Sequence, residues 1–299
     1  MTFRPVSTAT LNAMATTALL NAQNRMNDLQ NQVTTGSRLN NPSDDPGGMV
    51  VALSSQSSLT RMAQYTTNIN DGLGALAQST ASLSTVSDAL TQVRSLVLSA
   101  VNGTPTADTL AAVSSQVQGI RANVLSAMNA QFAGRPVFGG DGSATQAFAD
   151  DGTYTGNATA PTRNAAPGTS VTVGMAGAAA FGQGAGSVLG ALDQIIGHLS
   201  SATPADVESL RGGDLTNLNS ADSLLDNASA TTGAAYNQLV GLKTQNQTVS
   251  LALTTRLSSV QNVDMAQALT DLKTAESSYQ AALYATAQTN RQSLVNFLS

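Results

Sequence analysis

The sequence predicts a mainly α protein: a long antiparallel helical coiled-coil rod formed by both chain ends, with a small β-rich inserted outer domain. Three observations predict this fold. Apolar residues recur at alternating spacings of three and four in two blocks, about 6–133 and about 187 to the end, as in paired helices. The block between them is rich in Gly and Thr. Charged residues make up only 10% of the 299 residues, which suits helices that cover one another.

The first predicted helix ends at a strong breaker. Its apolar seam alternates spacings of four and three: Ala15, Leu19, Ala22, Met26, Leu29 and Val33. Gly36 can then take the left-handed conformation that closes a helix, and Pro42 keeps the residue before it extended. Asp45 is predicted to cap the next helix, with Pro46 in its first position. Asp44 lies favourably against the positive end of that helix.

The second predicted helix is the longest. Its apolar residues fall every seven positions: Ile69, Leu76, Leu83, Leu90 and Val97. Leu73 and Val101 lie on the alternate row that we expect to complete the seam, which Thr80, Ser87 and Arg94 interrupt. The seam is therefore expected to be narrow and weak on its own. Residues 102–105 end this helix, and a third follows with the same spacing: Leu110, Val113, Val117, Ile120, Val124 and Ala127.

The middle block changes to short predicted β runs, at residues 137–142, 149–157 and 171–174, separated by turn residues. Helical spacing resumes at residues 188–199 and continues as one long stretch. Near residue 262 this stretch is expected to break, since Asp264 and Gln267 resemble a capping box. The final helix then follows a seven-residue grid: Met265, Leu269, Leu272, Tyr279, Leu283 and Leu294.

Composition argues against several functions. A net charge of −5 and a pI near 4.7 give no attraction to phosphate, so no nucleic-acid binding is expected. The chain has no cysteine, and no window approaches the roughly 18 apolar residues of a membrane span. His198, the single histidine, is interpreted as a packing or solvent-facing residue. We therefore expect no enzyme, no metal, no cofactor and no membrane partner.

Two segments resemble the flagellin family. Residues 30–49 read QNQVTTGSRLNNPSDDPGGM, similar to the family's Gly-x-Arg-x-Asn turn before an Asp-rich helix start. Residues 260–299 resemble its closing helix. The motif residues are Gly36, Arg38, Asn40, Pro42, Asp44, Asp45 and Pro46. The seven-residue seam of the second helix runs on from the first of these segments to residues 101–104. The two matched ends stand in the family order around a variable middle.

Within the family, three segments look more like hook–filament junction proteins than filament flagellins: residues 41–46, 134–140 and 293–298. This resemblance implies a homo-oligomer, as a ring or helical polymer, that connects a hook-associated protein at the hook tip to flagellin. It also implies a flagellar export chaperone and an extracellular place in the flagellum. The N-terminus lacks a basic start and a compact apolar segment, so we expect no cleaved signal peptide. The resemblance implies type III export instead.

The resemblance further implies three domains. Residues 1–42 and 258–299 are expected to form a terminal polymerisation domain, residues 43–135 and 187–257 a helical bundle rod domain, and residues 136–186 a β-rich outer domain. The expected polymerisation residues are Leu19, Met26, Leu29, Val33, Leu269, Leu272, Tyr279, Leu283, Leu294, Phe297 and Leu298. Asp44 and Asp45 have two interpretations: capping the next helix, or an intersubunit contact with Arg38 or a neighbour's arginine.

Two other functions remain open on the sequence. A filament flagellin would polymerise in thousands of copies, whereas a junction protein is scarce. A secreted coiled-coil adhesin would be displayed on the surface, and its loss would leave motility intact.

Overall fold

Helices account for most of the chain. The structure, a computed structural model, describes residues 8–102, 106–142 and 144–298, and the side chains within them except those of residues 8, 9, 11, 12 and 289–298. The helices are α1 (Thr8–Thr35), α2 (Pro46–Val101), α3 (Ala107–Met128), α4 (Gly177–Phe181), α5 (Val188–Ser201), α6 (Pro204–Arg211), α7 (Gly213–Gln261) and α8 (Met265–Leu298). The strands form two antiparallel pairs, β1 (Gln131–Phe132) with β2 (Arg135–Pro136) and β3 (Thr162–Ala166) with β4 (Thr169–Thr172). The mainly α fold class with a small β insert is confirmed.

The chain divides into two compact units. The terminal unit comprises Met1–Thr60 and Ser250–Ser299, and the central unit comprises Arg61–Val249. The long helices α2 and α7 each begin in one unit and end in the other. No helix in the described parts of the chain is long and apolar enough to cross a membrane.

In the terminal unit, α1 packs against α8. An isolated β-bridge joins Ser37, just after α1, to Asn262, just before α8, so the two helices are antiparallel. The predicted seam of α1 is confirmed as its half-buried row, from Ala15 through Met26 to Val33. This pair brings the two ends of the chain together.

The seam of α8 differs from the predicted grid. Leu272 and Tyr279 are half-buried as predicted, but the rest of the covered row consists of small residues: Ala268, Ala275 and Ala282. Leu269 and Leu283, which the grid also contains, lie on the neighbouring exposed row, and their predicted role in polymerisation stays a prediction. A seven-residue grid does not distinguish adjacent rows, and alanines allow a close approach of α1 and α8.

In the central unit, α2 supplies the main apolar seam. Its predicted positions from Ile69 to Val97 are at most 2% exposed, which confirms that row. The alternate row lies one residue earlier than predicted: Gly72, Ser79, Val86 and Val93 are buried, whereas Thr80 is exposed and Leu73, Ser87 and Arg94 are only partly buried. The prediction that the alternate row is interrupted is therefore wrong. A heptad allows spacings of three and of four, so the period alone does not choose between the two rows, and tertiary packing buries the earlier one. Val101, the last predicted residue of the alternate row, is also buried.

Helices α3, α5 and α7 cover this seam. Buried residues of all four helices form one continuous core with side chains from the middle block. The middle block contributes three phenylalanines that pack edge to face, with Phe138 and Phe148 on either side of Phe181 at ring-centroid distances of 4.7 and 5.8 Å. Such aromatic pairs add stabilisation beyond the area that they bury.

The β content is smaller than predicted. The run at residues 171–174 overlaps β4, but residues 137–142 and 149–157 contain only isolated bridges, Gly139 with Ala176 and Phe148 with Tyr154. Turns dominate both runs, because Gly and Asp residues interrupt them. Strand β3 was not predicted, since its sequence Thr-Arg-Asn-Ala-Ala lacks the alternation of a half-buried strand.

Two glycines in α2 position the middle block. A Cβ atom added at Gly72 would lie 2.7 Å from Val173 Cγ1 and 2.9 Å from Leu239 Cδ1. One added at Gly74 would lie 2.5 Å from the Phe132 ring. Val173 follows β4 and Phe132 lies in β1, so both β pairs approach α2 where it has no side chain. Glycine inside a helix lowers the stability of that helix, and here the close packing of the β pairs against α2 offsets the loss.

We predict that Gly72→Ala destabilises the chain. Alanine gains about 1 kcal/mol of helix propensity, but overpacking against the buried Val173 and Leu239 costs about 1–3 kcal/mol. Gly119→Ala is the matched control, because Gly119 lies inside α3 with nothing within 4 Å of an added Cβ. Chemical denaturation should give a lower midpoint for Gly72→Ala and a higher one for Gly119→Ala. Two higher midpoints would contradict this account of the contact.

Candidate assembly surface

The terminal unit has little core of its own. Among the described residues, forty apolar side chains are buried, and only Leu39, Ala52, Ala268 and Ala275 of them lie in the terminal unit. Thirteen large apolar side chains are exposed in the same part of the chain, and nine of them belong to this unit. A unit with this distribution gains apolar burial only by contacting another molecule.

The exposed apolar residues of α8 form a row. Leu269 is 53% exposed and Leu283 is 42% exposed, and their spacing of fourteen places them on one side of the helix. Tyr284, beside this row, is 78% exposed, and Met265 lies at its start. We name Met265, Leu269, Leu283 and Tyr284 the outer row of α8. It is a surface that a second helix could cover.

The other predicted polymerisation residues divide into two groups. Leu19, Met26, Leu29 and Val33 of α1, with Leu272 and Tyr279 of α8, are half-buried within the chain. The side chains of Leu294, Phe297 and Leu298 lie outside the described residues, although their backbone belongs to α8. A role in polymerisation stays a prediction for all of them.

The segment between α1 and α2 is tied to the segment between α7 and α8. Gly36 has a φ of +68°, the left-handed conformation predicted for it. The backbone N–H of Arg38 donates to the Gln261 carbonyl at 2.7 Å, and that of Val263 donates to the Gly36 carbonyl at 3.1 Å. Ser37 Oγ also donates to the Gln261 carbonyl, at 3.3 Å. These bonds fix the antiparallel entry of both terminal helices.

The predicted capping role of Asp45 is present in the structure. Asp45 Oδ1 accepts the backbone N–H of Gly48 at 2.8 Å, and Pro46 is the first residue of α2. Arg38 Nη2 donates to Asp45 Oδ2 at 3.2 Å and to the Val260 carbonyl at 3.0 Å. The bond to Gly48, followed by the Arg38 guanidinium, lowers the pKa of Asp45 below the ordinary aspartate value.

Asp44 also forms contacts that were not predicted. Its Oδ2 accepts the backbone N–H groups of Asn40 at 3.0 Å and Asn41 at 2.7 Å, so it closes the turn that contains Pro42. The Asn40 side chain donates to the Ser37 carbonyl at 3.0 Å. The described contacts of Arg38, Asp44 and Asp45 thus lie within one chain, and an intersubunit role for them stays a prediction.

Charge is divided unequally between the two units. The terminal unit contains six acidic and six basic residues, whereas the central unit contains twelve acidic and seven basic residues. The terminal unit is therefore neutral overall, and copies of it can approach one another without net repulsion.

The carbonyl groups of Val260 and Gln261 were not predicted as site groups, since backbone acceptors carry no signal in the side-chain pattern.

The chain matches two family profiles. Residues 6–143 match the bacterial flagellin N-terminal helical region, and residues 215–298 match the bacterial flagellin C-terminal helical region. Among characterised relatives, the phase 1 flagellin of Salmonella naestved and the flagellin of Salmonella dublin are each 26% identical over 113 residues. This segment is 38% of the present chain and 22% of each relative. The chain thus aligns with about a fifth of the length of these relatives.

Solved structures share the fold. A Vibrio parahaemolyticus protein provisionally assigned as flagellar hook-associated is 22% identical, with a TM-score of 0.66 over 73% of this chain and all of its own. Bacillus cereus FlgL is 24% identical, with a TM-score of 0.56 over 67% of this chain and 97% of its own. The flagellar junction protein FlgL of Legionella pneumophila is 13% identical, with a TM-score of 0.57 over 70% of this chain and all of its own.

We predict that Asp45→Ala accelerates hydrogen exchange at the Gly48 amide and in the first turn of α2, because both the cap and the Arg38 contact are lost. Asp45→Asn should have a smaller effect, since asparagine still caps. Asp28→Ala, which removes an exposed carboxylate of α1, is the control and should leave this amide unchanged. Equal exchange in Asp45→Ala and the control would contradict the capping role.

The lowered pKa of Asp45 fixes the sign of the pH effect. The charged carboxylate stabilises the folded turn at any pH above the ordinary aspartate pKa. This contribution is lost as the pH falls through the lowered folded value. Protection of the Gly48 amide should therefore fall only at acidic pH.

Proposed function

The chain belongs to the flagellin family of flagellar structural proteins, and we propose that within it the chain is a hook–filament junction protein. The observation that carries this proposal is the extent of the likeness. The fold matches the whole of two solved chains that are described as a hook-associated protein and a junction protein, whereas the alignment with flagellins covers about a fifth of their length. The resemblance of residues 41–46, 134–140 and 293–298 to junction proteins adds support.

We propose that the chain polymerises through its terminal unit. The outer row of α8 leaves leucine, methionine and tyrosine side chains in water, and the unit buries few apolar residues itself. Covering a leucine on assembly contributes roughly 1.5–3 kcal/mol. An isolated helical pair with an alanine-rich seam barely offsets its ordering entropy, so contacts between copies would stabilise these helices.

In this role the chain connects two different polymers. Copies form a ring or short helical layer whose lower face meets a hook-associated protein at the hook tip and whose upper face meets flagellin. Heterologous stacking gives the two faces different surfaces, so neither polymer has to match the other. The proposal includes type III export without a cleaved signal peptide, a flagellar export chaperone and an extracellular location. No catalytic step is part of this function.

The test is electron microscopy of a strain that lacks this gene, with flagellin measured in the medium. Intact hooks without filaments, together with released flagellin, are the expected result, and expression of the wild-type chain should restore filaments. Missing filaments without released flagellin would assign the chain as the filament flagellin instead. Normal filaments would overturn both functions.

A second prediction concerns the outer row of α8. The double variant Leu269→Ser and Leu283→Ser should fail to restore filaments in the deletion strain, because the outer row then lacks two of the apolar side chains that a second copy would cover. Its central unit should unfold at the wild-type midpoint. Leu98→Ser is the control, since Leu98 is a partly exposed leucine of the central unit. Full restoration of filaments by the double variant would contradict assembly through this row.

A further inference from the structure

The arginines of the central unit differ in their partners. Arg94 pairs with Asp222 and Arg121 pairs with Asp193, each at 2.5 Å. In the described part of this unit, Arg135 and Arg163 form no ion pair with a carboxylate, although the unit has an excess of acidic residues. Both side chains line the same cleft.

The cleft lies between α2 and the β pairs, within the central unit. Its volume is about 210 Å³. Phe132, Val137 and Val173 supply apolar lining, and Asp71 of α2 is the acidic residue among the lining groups. Val137 and Val173 are buried, whereas Arg135, Arg163 and Asp71 are exposed. The cleft therefore combines an apolar interior with guanidinium groups that solvent reaches.

Both guanidinium groups have donors to spare. Arg135 Nη2 donates to the carbonyls of Asp141 at 3.3 Å and Gly142 at 2.8 Å, contacts that orient its side chain. Arg163 Nη1 donates to the Thr162 carbonyl at 3.3 Å. A guanidinium carries five N–H donors, and its planar fork fits a carboxylate with two parallel bonds. A segment with a carboxylate beside an apolar side chain is the complementary ligand.

We propose that this cleft is the acceptor for an acidic segment of the central unit of a second copy of this chain. The proposal rests on the proposed function, in which copies assemble side by side. Local charge complementarity supports a second copy, because the cleft presents the guanidinium groups of Arg135 and Arg163 and the same unit exposes carboxylates elsewhere on its surface. The exposed carboxylates of Asp88, Asp108 and Asp226 form no ion pair in the described part of the chain.

The contact is heterologous. The cleft and the acidic surface are different parts of one unit, so each copy offers both and can join a neighbour on either side. This contact sets the orientation of adjacent copies and the choice of partner, and adds little to the free energy of assembly, since exposed ion pairs contribute little stability. The terminal units would supply the apolar burial, and the cleft would fix how adjacent central units meet.

Photo-crosslinking tests the occupant. The full chain with Asp71→p-benzoylphenylalanine is expressed in the deletion strain, and its isolated flagella are irradiated. We expect a product at twice the chain mass of 30.3 kDa, with the acidic segment of the second copy identified by peptide mass spectrometry. A product of another mass would show that a different protein occupies the cleft, and would contradict a second copy as the partner. If no cross-linked product forms, the cleft is not a docking site.

Charge reversal at Arg163 tests whether its guanidinium group binds the acidic segment. Arg163→Glu should reduce the yield of the photo-crosslinked dimer at least several-fold and detach filaments at lower shear, while Arg163→Lys should retain both. Gln146→Glu, which adds a negative charge at another exposed position of the middle block, is the control. Unfolding midpoints verify that each variant folds. If wild-type protein restores filaments and Arg163→Glu matches it in both assays, the cleft is excluded while the junction function stands. If wild-type protein restores nothing, the junction function itself fails.

Discussion

The seam of α2 is the interaction on which the rest of the structure depends. From Ile69 to Val97 one face of this helix is almost fully buried. From Leu83 onward this face packs with α3, α5, α7 and the aromatic cluster in one core, whereas Ile69 and Leu76 pack with residues of the β3–β4 pair and α7 in a second. Gly72 and Gly74 then allow the two β pairs to approach the helix. The terminal unit also contains large apolar residues, but among the described residues it buries few of them.

That imbalance is the basis of the polymerisation that we propose for the terminal unit. Small residues form its internal seam, and larger ones such as Leu269 and Tyr284 face solvent. A monomer that buried these side chains internally would be more stable alone and would have less to gain from assembly. Equal numbers of acidic and basic residues in this unit allow dense packing of copies, while the excess negative charge remains on the central unit. We thus propose that the terminal units bury apolar surface between copies, and that charged groups of the central units select how adjacent copies meet.

Sequence reasoning predicted features governed by local chemistry. The break at Gly36, the cap at Asp45 and the helix start at Pro46 depend on neighbouring residues, and all three are present. The main row of α2 was predicted because large apolar residues mark it without ambiguity. The same reasoning placed the alternate row one residue late, since Gly72 and Ser79 carry no apolar signal although tertiary packing buries them. The predicted grid of α8 likewise did not include Ala268, the small residue that packing buries there.

Long-range polar contacts were beyond the sequence pattern. His198 was expected to pack or face solvent, yet its Nδ1 lies 2.7 Å from Oδ2 of Asp214, a residue only 2% exposed. The partners belong to different helices, α5 and α7, and neither helical period relates them. Similarly, nothing in the sequence places Arg38 beside the Val260 carbonyl, 222 positions away. Such contacts follow from the fold and can be read only after it.

Hydrogen exchange measured by mass spectrometry, on the free chain and on isolated flagella, tests the central claim most directly. The account predicts that α1 and α8 exchange rapidly in the free chain and become protected on assembly, while the part of α2 within the central unit is protected in both states. Strong protection of α1 and α8 in the free chain, or no change on assembly, would contradict the claim that contacts between copies stabilise the terminal unit.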